Sequence, residues 1–542
     1  MLVSEAVGVT LAGLGADTVF GLVGSGNFHV TNALIANGAT FVATRHECGA
    51  ACAADAWARG TGRVGILSVH QGPGLTNALT GITEAAKSRT PLLVLAADVA
   101  GAAVRSNFRI DVAALATSVG AVADRLYSPA TAVADAARAY RSAQRERRTV
   151  VLAMPLDVQA AQCEPPKIPP VPPLAPPAPA PEAAARLAQA LTEAERPVFV
   201  AGRGARAARA ALEELADACG ALLATSAVAK GLFHGSPWDL GVSGGFASPL
   251  AAELITGADL VVGWGSSLNM WTMRHGKLIG PGARVAQVDD DSSAIGAHRP
   301  VDIAVPGDVA QTARVLLASL PAQPGYRSEG LRDRIAREVR WRDVPYDDQG
   351  GDGVIDPRTL TIALDDLLPA ERVVAIDSGN FMGYPSMFLS VPDEHGFCFT
   401  QAYQSIGLGL ASAIGAALAQ PDRLPVAALG DGGALMGVSE LETVVRLGLP
   451  MVIVVYDDEA YGAEVHHFGP DGFALDTVRF PPADVAAIGR GFGCAGVTVR
   501  GPGDLGPVRD WLAGPRDRPL VIDAKVASAS GSWWLEEAFR GH

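Results

Sequence analysis

Leu424-Pro425-Val426-Ala427-Ala428-Leu429-Gly430-Asp431-Gly432-Gly433 runs an apolar stretch into a glycine-rich turn carrying one aspartate. The stretch reads as a buried strand, the turn as its exit, and residues 435–447 as the helix that follows. Glycines there let backbone amides approach an anion at the helix start, and Asp431 offers a hard oxygen ligand for Mg²⁺. A second strand over residues 451–456 ends in Asp457-Asp458-Glu459-Ala460-Tyr461-Gly462. In a doubly wound sheet, neighbouring strands joined by one helix bring their exit loops together, so Asp431 and Asp458 are placed to share one cation. A glycine turn and an acidic loop without a metal is the plainer reading; the coincidence of turn, spacing and strand context favours the metal.

Working outward, short apolar runs such as Pro91-Leu92-Leu93-Val94-Leu95 and Val198-Phe199-Val200 alternate with alanine-rich stretches of helical period. This predicts an α/β fold of doubly wound parallel sheets covered by helices on both faces. Prolines crowd residues 162–181, a run that is extended and excludes helix or central strand. A charged, glycine-containing stretch over residues 327–353 marks a second boundary. The expected division is a domain over 1–160, a Pro-rich linker over 161–184, a central domain over 185–325, a linker over 326–355 and a third domain over 356–542.

A chain of 542 residues exceeds one hydrophobic core. Its net charge of -14 argues against nucleic acid or an anionic membrane as partner, while a small organic acid can still bind locally. No apolar run free of breakers is long enough to span a bilayer, and the start Met1-Leu2-Val3-Ser4-Glu5-Ala6 lacks a basic stretch ahead of an apolar one, so the chain reads as cytoplasmic. Six scattered cysteines without a CxxC pair read as reduced thiols.

In the first block, Thr40-Phe41-Val42-Ala43-Thr44 reads as a strand and Arg45-His46-Glu47 opens a helix. A glutamate in a first helical turn is commonplace, because it complements the helix dipole. Its context is not: Gly72-Pro73-Gly74-Leu75-Thr76-Asn77 and Thr90-Pro91-Leu92 follow, and Ser25 and His70-Gln71 stand in loops after strands.

Together these segments resemble the thiamine-diphosphate-dependent superfamily of acetolactate synthase, benzoylformate decarboxylase and pyruvate decarboxylase. The resemblance implies three domains (pyrimidine-binding, middle and diphosphate-binding) and thiamine diphosphate with Mg²⁺. It makes Asp431, Asp458 and the Ala460 carbonyl the metal ligands, with Gly432, Gly433, Tyr461 and the turn Ser378-Gly379-Asn380 near the diphosphate. Glu47 would hydrogen-bond the aminopyrimidine and drive its tautomerisation. Ile406 would wedge the cofactor into its bent shape, with the Gln404 carbonyl accepting from the aminopyrimidine. Ser25 and His70 match an active-site serine and histidine of benzoylformate decarboxylase, and Gln71 is a third candidate; a neutral imidazole there can shuttle a proton. Turn and loop roles are the plainer readings of Ser25 and His70. Glu47 and Asp431 lie in different blocks, and the resemblance makes their meeting place a subunit interface of a homodimer or homotetramer.

The chain also departs from that pattern. Asp457-Asp458 replaces the usual Asn-Asn, adding negative charge beside a polyanionic diphosphate. Acetolactate synthases have small hydroxyl residues at His70-Gln71 and a Gln-Glu pair near Phe108-Arg109-Ile110-Asp111. In the middle block, Gly202-Arg203-Gly204-Ala205-Arg206-Ala207 follows a strand, but residues 221–225 end without the acidic residue a ribose would need, so NAD is not expected. The flavin-contacting segment reads Gly265-Ser266-Ser267-Leu268-Asn269-Met270-Trp271, which leaves FAD a lesser expectation.

The expected function is therefore a 2-keto acid decarboxylase/carboligase, acetolactate synthase-like, acting through an enamine intermediate, with a small 2-keto acid and a carbonyl acceptor as substrates. The alternatives are a benzoylformate-type decarboxylase, a flavin-dependent keto acid oxidase and a relative that binds without catalysis. The Trp533-Trp534 pair reads as a packed tail able to cover the active-site mouth.

Overall fold

The fully apolar strand runs of the sequence need cover on both faces, and the architecture supplies it. The computed structural model describes residues 1–167 and 174–538, so Pro169, Pro170, Pro172 and Pro173 of the linker lie outside the described residues. The first sheet comprises β1 (Thr18–Gly21), β2 (Thr40–Ala43), β3 (Gly65–Val69), β4 (Leu92–Asp98), β5 (Val122–Arg125) and β6 (Thr149–Pro155), in the order β2-β1-β3-β4-β6-β5. The second comprises β7 (Pro197–Ala201), β8 (Leu222–Thr225), β9 (Asp239–Val242), β10 (Leu260–Trp264), β11 (Arg284–Asp289) and β12 (Ile303–Pro306), in the order β12-β11-β10-β7-β8-β9. The third comprises β13 (Arg372–Ile376), β14 (Phe397–Phe399), β15 (Leu424–Gly430), β16 (Val452–Asp457), β17 (Ala495–Val499) and β18 (Leu520–Lys525), in the order β14-β13-β15-β16-β18-β17.

Every pairing within the three sheets is parallel, and β3, β4 and β16 are buried along their whole length, as both-face cover requires. The predicted fold class is thus observed. The first and third sheets share one strand order, and their order reverses between β1 and β3 and between β13 and β15. In the second sheet the reversal falls between β7 and β10. Ligands of open α/β sheets bind beyond the strand ends at such reversals.

Two expectations of local structure change. The helix expected over residues 435–447 is two helices, Asp431–Met436 and Glu440–Arg446, broken by Gly437-Val438-Ser439. Glycine and serine favour that break, and it turns Glu440 toward the first block. The stretch read as a linker over 326–355 carries the helix Glu329–Glu338, whose Ile335 joins the core of the second block. All six cysteines are free, and no helix among the described residues is long and apolar enough to cross a membrane.

The blocks are joined by small-residue packing and buried charge. Helix Glu47–Thr61 lies against helix Gly409–Ala419, with Gly415 on the Ala53 backbone. At its far end Arg59 lies 2.7 Å from Asp55 and 2.8 Å from Glu84 and donates to the Phe399 carbonyl at 2.8 Å. Glu84 in turn accepts the amides of Ala402 (3.1 Å) and Tyr403 (2.7 Å). Arg59→Ala strands two buried carboxylates, so it is expected to cost on the order of 3–5 kcal/mol. Arg138→Ala, which breaks half-exposed pairs to Asp124 and Asp135, is expected to cost about 1 kcal/mol or less. Denaturant unfolding followed by tryptophan fluorescence checks this; equal losses in the two variants would contradict it.

Candidate active site

β13 and β15 end side by side at the reversal of the third sheet, and their exit loops wall a cavity of about 400 Å³. Asp431 opens helix Asp431–Met436 directly after β15, and Asp458 follows β16 directly, so two strand ends deliver two carboxylates to one space. The lining also includes Ser378, Gly379, Asn380, Gln404, Ile406, Gly432, Gly433, Ala460 and Tyr461, which brings together every residue the sequence assigned to the diphosphate and metal. Gly379 has φ 138°, a backbone that favours glycine, and a Cβ on Gly433 would fall 2.3 Å from Asp377 Oδ2. Asp377, buried beneath the cavity, accepts the Gly407 amide at 2.9 Å and the Leu408 amide at 3.3 Å, fixing the turn after Ile406.

The electrostatics of this wall are unbalanced. Burial, and then the charges of Asp458 and Asp457, push the Asp431 carboxyl well above its ordinary range. Burial raises Asp458 as well, with Asp457 adding to it. Asp431 and Asp458 on the cavity wall, with Ala460 beside them, offer hard oxygen donors of the kind suited to Mg²⁺, which takes its remaining ligands from phosphate and water. Among the described residues no cluster of three or more His, Cys, Asp or Glu side chains could close a protein-only cage.

The other predicted residues lie beyond the ends of three neighbouring strands of the first sheet, Ser25 after β1, Glu47 after β2, and His70 and Gln71 after β3. Glu47 begins its helix half-buried, with His46 as N-cap, and one of its oxygens accepts from Asn77 Nδ2 at 3.1 Å. His70 Nδ1 accepts the Gly26 amide at 3.1 Å, which leaves the proton of the neutral ring on Nε2. Burial lowers the His70 pKa, against an opposing pull from Glu47. Ser25 is exposed on the turn that wraps the imidazole. Gln71 is buried, and its Oε1 has no hydrogen-bond partner. None of Glu47, Ser25, His70 and Gln71 lines the 400 Å³ cavity of the third block.

The thiamine pyrophosphate enzyme family matches in all three parts: its N-terminal TPP binding domain over residues 1–115, its central domain over 184–316 and its C-terminal TPP binding domain over 377–524. A probable 2-ketoarginine decarboxylase of Pseudomonas aeruginosa is 32% identical over 528 residues, covering 93% of this chain and 90% of that protein. The chain belongs to the thiamine pyrophosphate enzyme family. An acetolactate synthase large subunit of Parasynechococcus marenigrum is 28% identical over 505 residues (90% of this chain, 81% of that one). A sulfoacetaldehyde acetyltransferase of Rhodobacter capsulatus is 28% identical over 530 residues (92% of this chain, 90% of that one).

Several residues that shape this thiamine pyrophosphate enzyme's site carried no distinct signal in sequence. Glu440 sits in Ser439-Glu440-Leu441-Glu442, an ordinary helix start, yet it is buried and accepts the amides of Arg45 (3.1 Å) and His46 (3.0 Å) immediately before Glu47. Trp534 does more than pack a tail: its Nε1 donates to the Asn380 carbonyl at 3.0 Å, and its ring lines the cavity. A second cavity, about 580 Å³, opens at the reversal of the middle sheet beside Gly202, Arg203 and Gly265. It shares Trp271, Met382, Gln404 and Trp534 with the first. β8 ends at Thr225 without an acid, as read; the acid that reaches this cavity is Asp289, from the end of β11.

Asp431 and Asp458 also make stability depend on pH. A carboxyl whose folded pKa is raised stabilises the fold fully below its unfolded value and loses that contribution as pH rises through the folded value. For Asp431 that upper limit is about 8 and for Asp458 about 7. The metal-free protein is therefore expected to lose thermal stability between about pH 4 and pH 8, and Mg²⁺, which takes the ionised pair, to restore more of it as pH rises. Melting curves with and without Mg²⁺ check this; an Mg²⁺ effect independent of pH, or one unchanged in Asp431→Asn, would contradict it.

Proposed function

We propose that this enzyme is a thiamine-diphosphate-dependent 2-keto acid decarboxylase and carboligase with active sites between subunits of a homodimer or homotetramer. The observation that carries the reading is the convergence of Asp431, Asp458 and Ala460 on one cavity at a strand-order reversal. These three would hold Mg²⁺. Ser378, Gly379, Asn380, Gly432, Gly433 and Tyr461 would line the diphosphate, and Gln404 and Ile406 the rings. Bound thiamine diphosphate supplies an acidic carbon that adds to a keto group and accepts the electron pair released with CO₂.

The chain's own residues handle protons and position. Glu47, with one oxygen engaged by Asn77, has the other free for an aminopyrimidine N–H and can exchange a proton there. His70 presents Nε2–H, so the neutral imidazole can donate a hydrogen bond that orients the substrate; release of an aldehyde takes its proton from solvent, and a carbonyl acceptor taking that proton's place gives carboligation instead. The unpartnered Gln71 Oε1 is an acceptor for a substrate hydrogen. Glu464 lines the cavity beside the rings of Trp271, Tyr461 and Trp534, which favours a keto acid with a cationic side chain, the chemistry in the name of the Pseudomonas relative.

The first test titrates thiamine diphosphate and Mg²⁺ into wild-type and Glu47→Gln protein and follows CO₂ release from pyruvate, benzoylformate and 2-ketoarginine. Glu47→Gln is expected to bind cofactor like wild type and to turn over about 10²–10⁴ times more slowly. Wild type that binds no cofactor at saturating Mg²⁺ would return the chain to the non-catalytic reading. The 580 Å³ cavity has the size of a dinucleotide site, and the visible spectrum of the same sample reports whether FAD fills it; a yellow protein consuming O₂ would favour the oxidase.

The subunit arrangement rests on separation and exposure. Val23, Phe28, Val104 and Phe108 are exposed on the first block, and Leu435, Met436, Phe468 and Phe473 on the third, large apolar side chains of the kind subunit interfaces cover. If one protomer's Glu47 serves its partner's Asp431, then unfolding and refolding Glu47→Gln with Asp431→Asn should regain about a quarter of wild-type activity through hybrid dimers. No regain above the separate variants would place both residues in one protomer's site.

A further inference from the structure

The doubled aspartate at 457–458 has a partner in the neighbouring strand. β16 and β18 are parallel neighbours in which Asp457 pairs with Lys525, the last residue of each strand. Asp457, Lys525 and Asp523 are all buried, at 3%, 7% and 0% exposure. Lys525 Nζ donates to Asp457 Oδ2 and, at 2.7 Å, to the Ala483 carbonyl, and lies 3.2 Å from Asp523 Oδ1. The other Asp523 oxygen accepts the Val485 amide at 3.1 Å, at the start of helix Val485–Phe492. The second oxygen of Asp457 accepts the Glu459 amide at 3.1 Å, closing a turn in which Glu459 has φ 56°. Both Asp457 oxygens are thus engaged inside the protein, and Asp458, not Asp457, lines the cavity.

We propose that Lys525 is a positioning residue for the cation site: its ammonium neutralises Asp457 and anchors the 457–460 turn, so that Asp458 and the Ala460 carbonyl alone face the cation. The role rests on the reading of Asp431, Asp458 and Ala460 as Mg²⁺ ligands. It accounts for a carboxylate at 457 where a neutral amide would serve. A carboxylate there is tolerable only beside a buried cation, and an unpaired one would both repel Asp458 and pull the turn toward solvent. Lys525 acts through Asp457 and touches neither cofactor nor substrate in this account.

The test is a charge-removal cycle read by calorimetric titration of Mg²⁺ into protein saturated with thiamine diphosphate, with the melting point of the cofactor-free protein measured alongside. Lys525→Met is expected to weaken Mg²⁺ binding about 10–100-fold, the range for a lost outer-shell partner of a metal ligand. Asp457→Asn/Lys525→Met, made in an Asp523→Asn background so that neither acid beside Lys525 is left an orphaned carboxylate, is expected to return to within about threefold of wild type. If Lys525→Met fails to fold, a combined variant that folds and binds Mg²⁺ supports the role equally. A Lys525→Met protein that binds like wild type overturns it, as does a combined variant that stays as weak as Lys525→Met or fails to fold. Wild type that takes up no Mg²⁺ under these conditions overturns the metal site itself, and with it this role.

Discussion

The helix Glu47–Thr61 is clamped at both ends by a different part of the chain. At its start, Glu440 of the third block holds the amides of Arg45 and His46; at its end, Arg59 reaches the Phe399 carbonyl while paired with Asp55 and Glu84. Both clamps are buried and charged, so neither tolerates a lost partner, and together they fix the helix in position and rotation. Glu47 leads that helix. Its position follows from contacts made fourteen residues apart on two faces of another domain, and not from its own hydrogen bond to Asn77. The same clamp works in reverse, since Glu84 holds the segment that leads into Gln404 and Ile406.

Charge is distributed by the same logic in the third sheet. Burying four carboxylates at and near adjacent strand ends is unfavourable unless they meet positive charge. Asp457 and Asp523 share Lys525, whereas Asp431 and Asp458 face each other without an ion pair to a basic side chain among the described residues and are pushed toward their neutral forms. The sheet thus divides its acids into a pair compensated internally, Asp457 and Asp523, and an uncompensated pair on the cavity wall, Asp431 and Asp458. A cavity that is unfavourable empty and favourable filled links cofactor uptake to stability, because the ligand binds only the folded arrangement.

The α/β class and the three sheets were legible because parallel strands buried on both faces print as uninterrupted apolar runs, and β4 and β16 show this plainly. Asp431 and Asp458 were legible because each follows such a run at a turn, whereas Glu47 follows the half-exposed β2 and was legible only through the family resemblance of the segments around it. Lys525 was not: its link to Asp457 is a matter of strand order, and a sequence does not state that β18 lies beside β16. Glu440 was hidden by the helix break at Gly437, since a continuous helix over 435–447 would have turned it elsewhere. The charged stretch after 326 was read as a linker because helix Glu329–Glu338 contributes only Ile335 as a fully buried residue.

The shared strand order of the first and third sheets has a consequence for the chemistry. Each places its reversal between its first and third strands, so the chain carries two topologically equivalent clefts. Near one lie the titratable groups Glu47 and His70, and at the other the carboxylates Asp431 and Asp458 with the glycines Gly379, Gly432 and Gly433. A cofactor with an organic ring at one end and a diphosphate at the other needs both at once, and neither cleft alone has the groups for it. The middle sheet reverses elsewhere, between its first and fourth strands, and its cavity opens onto the third-block cleft at Trp271, Gln404 and Trp534. Substitutions at that junction, in residues such as Trp271 and the tail that carries Trp534, leave undisturbed the clamps that hold Glu47 and the paired charges of Asp457 and Lys525.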